Sequence, residues 1–272
     1  MNNLITNFDQ IVEFADKQGV PKDKKRGILR EYLQTRFLVE FYGLSEARKM
    51  SFVGGTSLRL LRSLPRFSED LDFDNLGLKD TQVSDLVEQV VNRFRQENIE
   101  VELKKSIRDK KTYYELRFPR VLFELKISSN QKEKMMIKVD YARNWRGQKT
   151  ELRLFSSYGL MEQVVVNSLD QILVQKLTAY VNRVRTQVRD VYDIVWLYSQ
   201  GAKIDKKFAK ENEVDDILEK AKKKFDEEGV GAGMKRRLKP FLFDERGIKK
   251  LDLLGQVLKN LKQSKQIEVE GV

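Results

Sequence analysis

The spacing of apolar residues changes period twice along the chain, and this constrains the fold more than any other feature. Leu4, Ile5, Phe8, Ile11, Val12 and Ala15 recur every three or four residues, the period of a helix buried on one face. Gly19-Val20-Pro21 ends that segment. A second helix is predicted from about Lys22 to Tyr42, with Ile28, Leu33, Phe37 and Phe41 on its apolar face. The texture then changes. Ser51-Phe52-Val53 reads as a short strand ending at Gly54-Gly55, and a helix over Thr56 to Leu64 is broken by Pro65. Asp70-Leu71-Asp72-Phe73-Asp74 alternates with the two-residue period of a strand. Val83 to Phe94 marks another amphipathic helix. Alternating runs near 99–107, 112–118, 121–128 and 135–141 predict antiparallel strands, joined in part by a turn at Arg108–Lys111. From about residue 160 the chain is expected to return to helix, over Leu169–Arg183, Gln187–Tyr198, Phe208–Phe225 and Ile248–Leu261. The tail Gln266–Val272 carries no usable pattern. The expected class is α+β: a helical lead-in and a mixed sheet flanked by helices over 1–158, and a helical C-terminal domain over 159–272.

Composition enters where chemistry is concerned. The chain of 272 residues has no cysteine and no histidine. Zinc sites built on those ligands, disulfides, cysteine nucleophiles and Ser-His-Asp triads are all excluded. Reacting groups must be carboxylates, lysines, hydroxyls or a hard metal held by oxygen. Lys+Arg number 52 against 41 Asp+Glu, a formal charge of +11, which suits a polyanionic partner and equally a solubilising surface. No apolar run approaches the ~18 residues of a membrane span, and the N-terminus lacks the charged and apolar regions of a signal peptide. A soluble, cytoplasmic protein with no membrane partner is the expectation.

The chemistry concentrates in Val53-Gly54-Gly55-Thr56-Ser57 and Ser68-Glu69-Asp70-Leu71-Asp72-Phe73. Glycines let backbone approach a phosphate closely. A helix opening at Thr56-Ser57 offers free N–H groups and a positive dipole end. Asp70 and Asp72 lie on one strand face, about 7 Å apart, where they can hold divalent ions. Asp140, an isolated acid in the apolar strand Ile137-Lys138-Val139-Asp140-Tyr141, is the candidate third ligand. Such an oxygen set suits Mg²⁺.

This order of Gly-Gly, Asp-x-Asp and a later lone acid resembles the nucleotidyltransferase superfamily of DNA polymerase β-like folds. Three stretches, Ile28–Gln34, Gly54–Leu61 and Pro65–Phe73, are similar to the AbiEii/AbiGii toxin family. So are Lys176-Leu177-Thr178-Ala179 with Arg183, and Arg189-Asp190-Val191-Tyr192-Asp193-Ile194, which resemble its Lys-x-x-Ala…Arg and Arg-Asp-x-Tyr-Asp motifs. The resemblance spans about residues 28–198. It implies the toxin half of a type IV toxin–antitoxin pair with a nucleotidyltransferase-like sheet, a separate antitoxin, and transfer of a nucleotide from an NTP to an RNA such as tRNA or to another macromolecule. Gly54, Gly55, Thr56, Ser57, Arg66, Ser68, Lys176 and Arg183 are the expected nucleotide ligands, in a cleft between the α/β core and the C-terminal helices. Asp70, Asp72 and Asp140 are expected to hold two Mg²⁺ ions, and Asp193 to orient Lys176 or Arg183.

Structural readings compete at several positions. A strand-to-helix turn uses glycine for geometry alone. Lys176 and Arg183, seven residues apart on a predicted helix, also fit a solvated basic stripe. Arg189 and Asp193 at i, i+4 fit a helix salt bridge, and Arg66, Ser57 and Ser68 fit capping roles. Tyr192 and Trp196 fit core, and the basic runs 104–111 and 220–224 fit either an RNA acceptor or solvated surface. An NTP-binding regulator without transfer, or a small-molecule nucleotidyltransferase, are the alternative functions.

Overall fold

The computed structural model describes residues 3–108 and 111–267, so Asp109 and Lys110 of the expected turn and residues 268–272 of the tail lie outside it. The chain divides into two compact units. Unit 1 takes the described residues up to Ser63, from 67 to 144 and from 151 to 166; unit 2 takes Leu64–Arg66, Trp145–Thr150 and the described residues from Asn167 onward.

Unit 1 begins with helices α1 (Asn3–Thr6), α2 (Phe8–Lys17) and α3 (Lys25–Tyr42). Strand β1 (Met50–Val53) runs directly into α4 (Gly54–Arg62), followed by β2 (Asp70–Asn75) and α5 (Asp80–Gln96). Then come β3 (Glu102–Arg108), β4 (Lys111–Phe118), the single turn α6 (Val121–Glu124), β5 (Met135–Ala142), β6 (Thr150–Ser157) and β7 (Leu160–Asn167). The strands form one seven-stranded mixed sheet in the order β3-β4-β5-β2-β1-β7-β6. β2 pairs parallel with β5, and β1 parallel with β7; the pairs β1–β2, β3–β4 and β4–β5 are antiparallel.

Period-two alternation gives the sheet two unlike faces. Leu71, Phe73, Tyr114, Leu116, Phe118, Ile137 and Val139 are buried on one of them. Phe41 and Tyr42 of α3 pack on Phe73, and Phe94 of α5 meets Phe118 edge-on. Burying each such side chain is worth roughly 1.5–3 kcal/mol, so this face fixes strand register. The other face carries Asp70, Asp72, Lys138, Asp140, Tyr113 and Glu115, all at least partly exposed.

Two expectations are corrected in unit 1. The run 121–128 is not a strand. Val121 and its neighbour Leu122 are both buried while Phe123 is 38% exposed, and the N–H groups of Ile127 and Ser128 return to Leu122 O. Adjacent burial of that kind is incompatible with a strand's alternation. The return to helix near 160 is also displaced, because β7 occupies Leu160–Asn167. Its Val164, Val165 and Val166 are all buried, the continuous apolar signature of a strand beside a parallel neighbour.

Unit 2 is helical, with α7 (Leu169–Asn182), α8 (Val188–Ser199), α9 (Lys206–Glu211), α10 (Ile217–Glu228), α11 (Ala232–Leu238) and α12 (Leu254–Ile267). The expected helix 208–225 is two helices, parted at Glu213, whose φ is 58°. The expected helix 248–261 begins as a 3₁₀ segment, Glu245–Leu253, before α12. Among the described residues no helix is long and apolar enough to cross a membrane.

Candidate active site

In unit 1 strand register assembles the acids. Asp72 is the direct lateral partner of Asp140 across β2 and β5, and of Val53 across β2 and β1. Asp70, two residues before Asp72, stands beside Lys138. Directly opposed residues on neighbouring strands have Cβ atoms about 5 Å apart, so Asp72 and Asp140 bring two like charges together on one face. Tyr113 of β4 is the next lateral neighbour of Asp140.

The turn from β1 into α4 is built around Asp72. Gly54 has φ +75°, a region that favours glycine, and a Cβ there would collide with Asp72 Oδ2 and lie 2.9 Å from its Cγ. Backbone at Gly54 thus packs directly on that carboxylate. The first four N–H groups of α4 belong to Gly54, Gly55, Thr56 and Ser57 and have no partner inside the helix. Thr56 and Ser57 are buried, and the Thr56 hydroxyl donates to Asp70 O at 2.5 Å, tying the start of α4 to β2.

Helix α3 braces this turn. Arg59 of α4 donates to buried Glu31 from Nε at 2.8 Å and from a terminal nitrogen at 3.1 Å, and Tyr158 OH donates to the same carboxylate at 2.9 Å. Burial, and then the Glu31 charge, push the Tyr158 phenol well above its ordinary value. Gln34 donates to the carbonyls of Ser68 and Glu69, and Arg30 pairs with Glu69 at 3.0 Å. The Ile28–Gln34 stretch therefore positions both α4 and the entry to β2. Sequence reasoning gave Glu31, Gln34 and Arg59 no positioning role, although all three lie in the stretches that resemble the family; the other signal was three polar side chains interrupting apolar helix faces.

Unit 2 gathers a second charged group. Arg66, 1% exposed, donates from Nε at 2.8 Å and from a terminal nitrogen at 2.6 Å to Asp193, which is fully buried. Lys176 Nζ lies 2.9 Å from Asp193 and 3.2 Å from Asp190, and Arg183 Nε lies 3.2 Å from Asp190. Burial alone would push the Asp193 carboxyl up, but Arg66 and Lys176 overcome it and hold it below its ordinary value. Burial likewise pulls Lys176 down, and Asp193 with Asp190 more than restores it. Arg183 is not on the helix face: α7 ends at Asn182, and Arg183 is extended at φ −75°, ψ 126°. Arg189 lies over the Phe241 ring, and Tyr192 and Trp196 are buried.

The structure thus brings Asp70, Asp72 and Asp140 of unit 1 onto one sheet face with Gly54–Ser57 beside them, and joins Lys176, Asp193, Arg66 and Arg183 in a network within unit 2. Arg66 faces Asp193 rather than solvent. Ser68 holds the approach to β2 through its carbonyl. Among the described residues, no three acidic side chains already close on one point as a preformed metal site. A cavity of about 690 Å³ in unit 2, bounded by Ile204, Ile217, Leu218 and Leu261, contains none of these residues.

Unit 1 thus sets an acidic row from two adjacent strands of a mixed sheet beside a glycine-opened helix. The sequence model of the nucleotidyl transferase AbiEii toxin of type IV toxin–antitoxin systems matches residues 36–255, and the chain belongs to that family. An NTP substrate and an antitoxin partner are what membership implies. No curated protein matches the chain. Its fold is similar to the crystal structure of JHP933 from Helicobacter pylori, at TM-score 0.50 and 20% identity, covering 90% of this chain and 98% of that one. A "putative nucleotidyltransferase from H. pylori" is also similar, at TM-score 0.48 and 20% identity, covering 86% and 95%.

Proposed function

We propose that this toxin transfers a nucleotide from an NTP to an RNA, tRNA foremost, in the cytoplasm, with two Mg²⁺ ions held by Asp70, Asp72 and Asp140. The observation that carries this is the lateral pairing of Asp72 with Asp140, with Gly54 backbone packed on the Asp72 carboxylate. The residues fit the metal: all donors are carboxylate oxygens, and juxtaposed like charges favour a bound cation. Bound ions would stabilise negative charge on the attacking and leaving oxygens.

The chain's own groups account for the rest. The N–H groups of Gly55, Thr56 and Ser57 bind the β- and γ-phosphates at the helix start. Asp140 accepts the proton of the acceptor hydroxyl. That oxygen bonds to the α-phosphorus, the bond from the α-phosphorus to the bridging oxygen breaks, and pyrophosphate leaves. In unit 2, Lys176 is the proposed phosphate-binding cation, kept charged and oriented by Asp190 and Asp193.

The test incubates the protein with each α-labelled NTP, Mg²⁺ and total tRNA. Label is expected in RNA with wild type and absent with Asp70→Asn/Asp72→Asn. Mg²⁺ is expected to raise the melting temperature of wild type and leave that of the double variant unmoved. Equal labelling by both proteins overturns the assignment.

A further inference from the structure

The two edges of the seven-stranded sheet are unlike. β3 ends it on one side and β6 on the other. β3 carries exposed Glu102, Lys104 and Lys105, the kind of charge by which a free edge keeps other strands away. β6 is eight residues long and has no lysine, proline or glycine. Leu152 and Leu154, two apart and so on one face, are 56% and 65% exposed, and Met161 of β7 is 62% exposed. The two charges of β6, Arg153 and Glu151, are joined to each other at 3.2 Å, and Glu151 also accepts from Arg62 at 2.5 Å. Among the described residues no backbone hydrogen bond from outside the sheet reaches Thr150–Ser157. The hairpin that carries this edge is fixed. Tyr158 and Gly159 turn it at φ 53° and 74°, as a tight two-residue turn requires, and Tyr158 OH donates to buried Glu31. A fixed aliphatic edge of this length is a template for another strand.

We propose that β6 pairs antiparallel with β6 of a second copy of this chain, joining the two sheets across a two-fold axis at Leu152. The strand is self-complementary about that residue. In an antiparallel pair centred there, Leu152 faces its own counterpart, and Glu151 faces Arg153 of the second copy on both sides of the axis. Opposite charges set directly across a strand pair stabilise it, and like charges oppose it. An axis on Glu151 or on Arg153 would set that residue against its own counterpart, so charge selects the register. Leu154 lies diagonal to Leu152 of the second copy, and the four leucines cover one another on one face. The same few residues supply both halves of the contact, which favours a second copy over an unrelated strand. The assignment is independent of the transfer reaction.

The experiment is sedimentation equilibrium of the full chain from micromolar to hundred-micromolar concentration. Wild type is expected to pass from one chain to two over that range. Leu152→Lys/Leu154→Lys, at two exposed positions, is expected to weaken self-association at least about 100-fold, with an unchanged circular dichroism spectrum to show that the fold is kept. The chain has no cysteine, so a single introduced thiol reports position. Leu152→Cys is expected to link two copies by a disulfide under air oxidation, because its counterpart lies directly across the axis. Ser156→Cys, four residues from the axis, would stand about 27 Å from its counterpart and should stay unlinked. A wild type that sediments as one chain throughout, self-association that survives the lysine pair, or equal linking of the two cysteine variants each overturn the pairing. A monomeric wild type that loses its antitoxin on Leu152→Lys/Leu154→Lys gives the edge to that protein and overturns the second copy.

Discussion

The two units hold their charges in opposite ways. On the sheet of unit 1, Asp70, Asp72 and Asp140 share one partly exposed face, with two of them in direct register. In unit 2, Arg66, Asp193, Lys176, Asp190 and Arg183 alternate in sign, and all but Arg183 have side chains at most 13% exposed. Carboxylates set side by side on an accessible face suit the cation binding proposed for them. A buried network that neutralises itself needs no visitor. The contrast matches the roles proposed above: ligand chemistry for the first group and, foremost, architecture for the second, with Lys176 the one cation there also proposed to meet phosphate.

The largest effect should come from the acidic row. Asp72→Asn is nearly isosteric but removes a charge on which the proposed metal site depends. Transfer of label from NTP is expected to fall by about 10²–10⁴, the several kcal/mol that metal-held carboxylates supply, with the melting temperature within a few degrees of wild type. A variant that loses fold and transfer together would break the contrast, because Asp72 would then be structural. The reverse holds in unit 2. Asp193→Ala leaves the Arg66 and Lys176 charges buried without their shared partner, a loss of about 3–5 kcal/mol read from urea unfolding. If Asp193→Ala unfolds at the wild-type midpoint and only transfer is lost, the network is catalytic and the comparison fails.

Local features were legible in the sequence and long-range ones were not. The parity of Asp70 and Asp72, and the glycines opening α4, follow from neighbours a few residues apart. The pairing of Arg66 with Asp193 joins residues 127 apart and has no local signature, so Arg66 read as a phosphate ligand or a cap. The Glu31–Arg59 pair, 28 apart, was hidden in the same way. Lys138 was recoverable, since it is two residues from Asp140 in a strand. Tyr113 was not, because its place beside Asp140 depends on the register of β4 against β5. The β6–β7 hairpin escaped because Val164–Val166 lacks alternation.

Gly54 offers a smaller effect that sharpens the distinction within unit 1. Gly54→Ala forces an L side chain to φ +75° and drives a Cβ into the Asp72 carboxylate. Strain of this kind costs about 1–3 kcal/mol, which a thermal melt would register as a modest drop. Transfer should fall further, about 10²-fold, because a carboxylate displaced by about 1 Å no longer holds its position in the reaction. Transfer that falls only with the folded fraction would mean that Gly54 serves the turn alone.

The smallest effect is a slope, and its sign discriminates between burial and pairing. Asp193 has its pKa lowered below 3.8 despite complete burial, because Arg66 and Lys176 outweigh desolvation. A carboxylate with a depressed native value contributes stability that is fully present above the unfolded value and is lost as pH falls through the folded one. Lys176, raised above 10.5, contributes stability present below that value and lost only as pH rises through its native one. The network should therefore be indifferent to pH between about 5 and 9, and weaken in acid. Glu115, Glu133 and Asp244 are also lowered, but Asp193→Asn leaves them in place and they cancel in a difference. The stability gap between wild type and Asp193→Asn, measured by urea unfolding from neutral pH downward, should shrink by at most about 1.4 kcal/mol per pH unit once below pH ~4. A gap that widens in acid would mean that desolvation dominates, that Asp193 is protonated in the native state, and that Arg66 and Lys176 are not the partners that keep it charged.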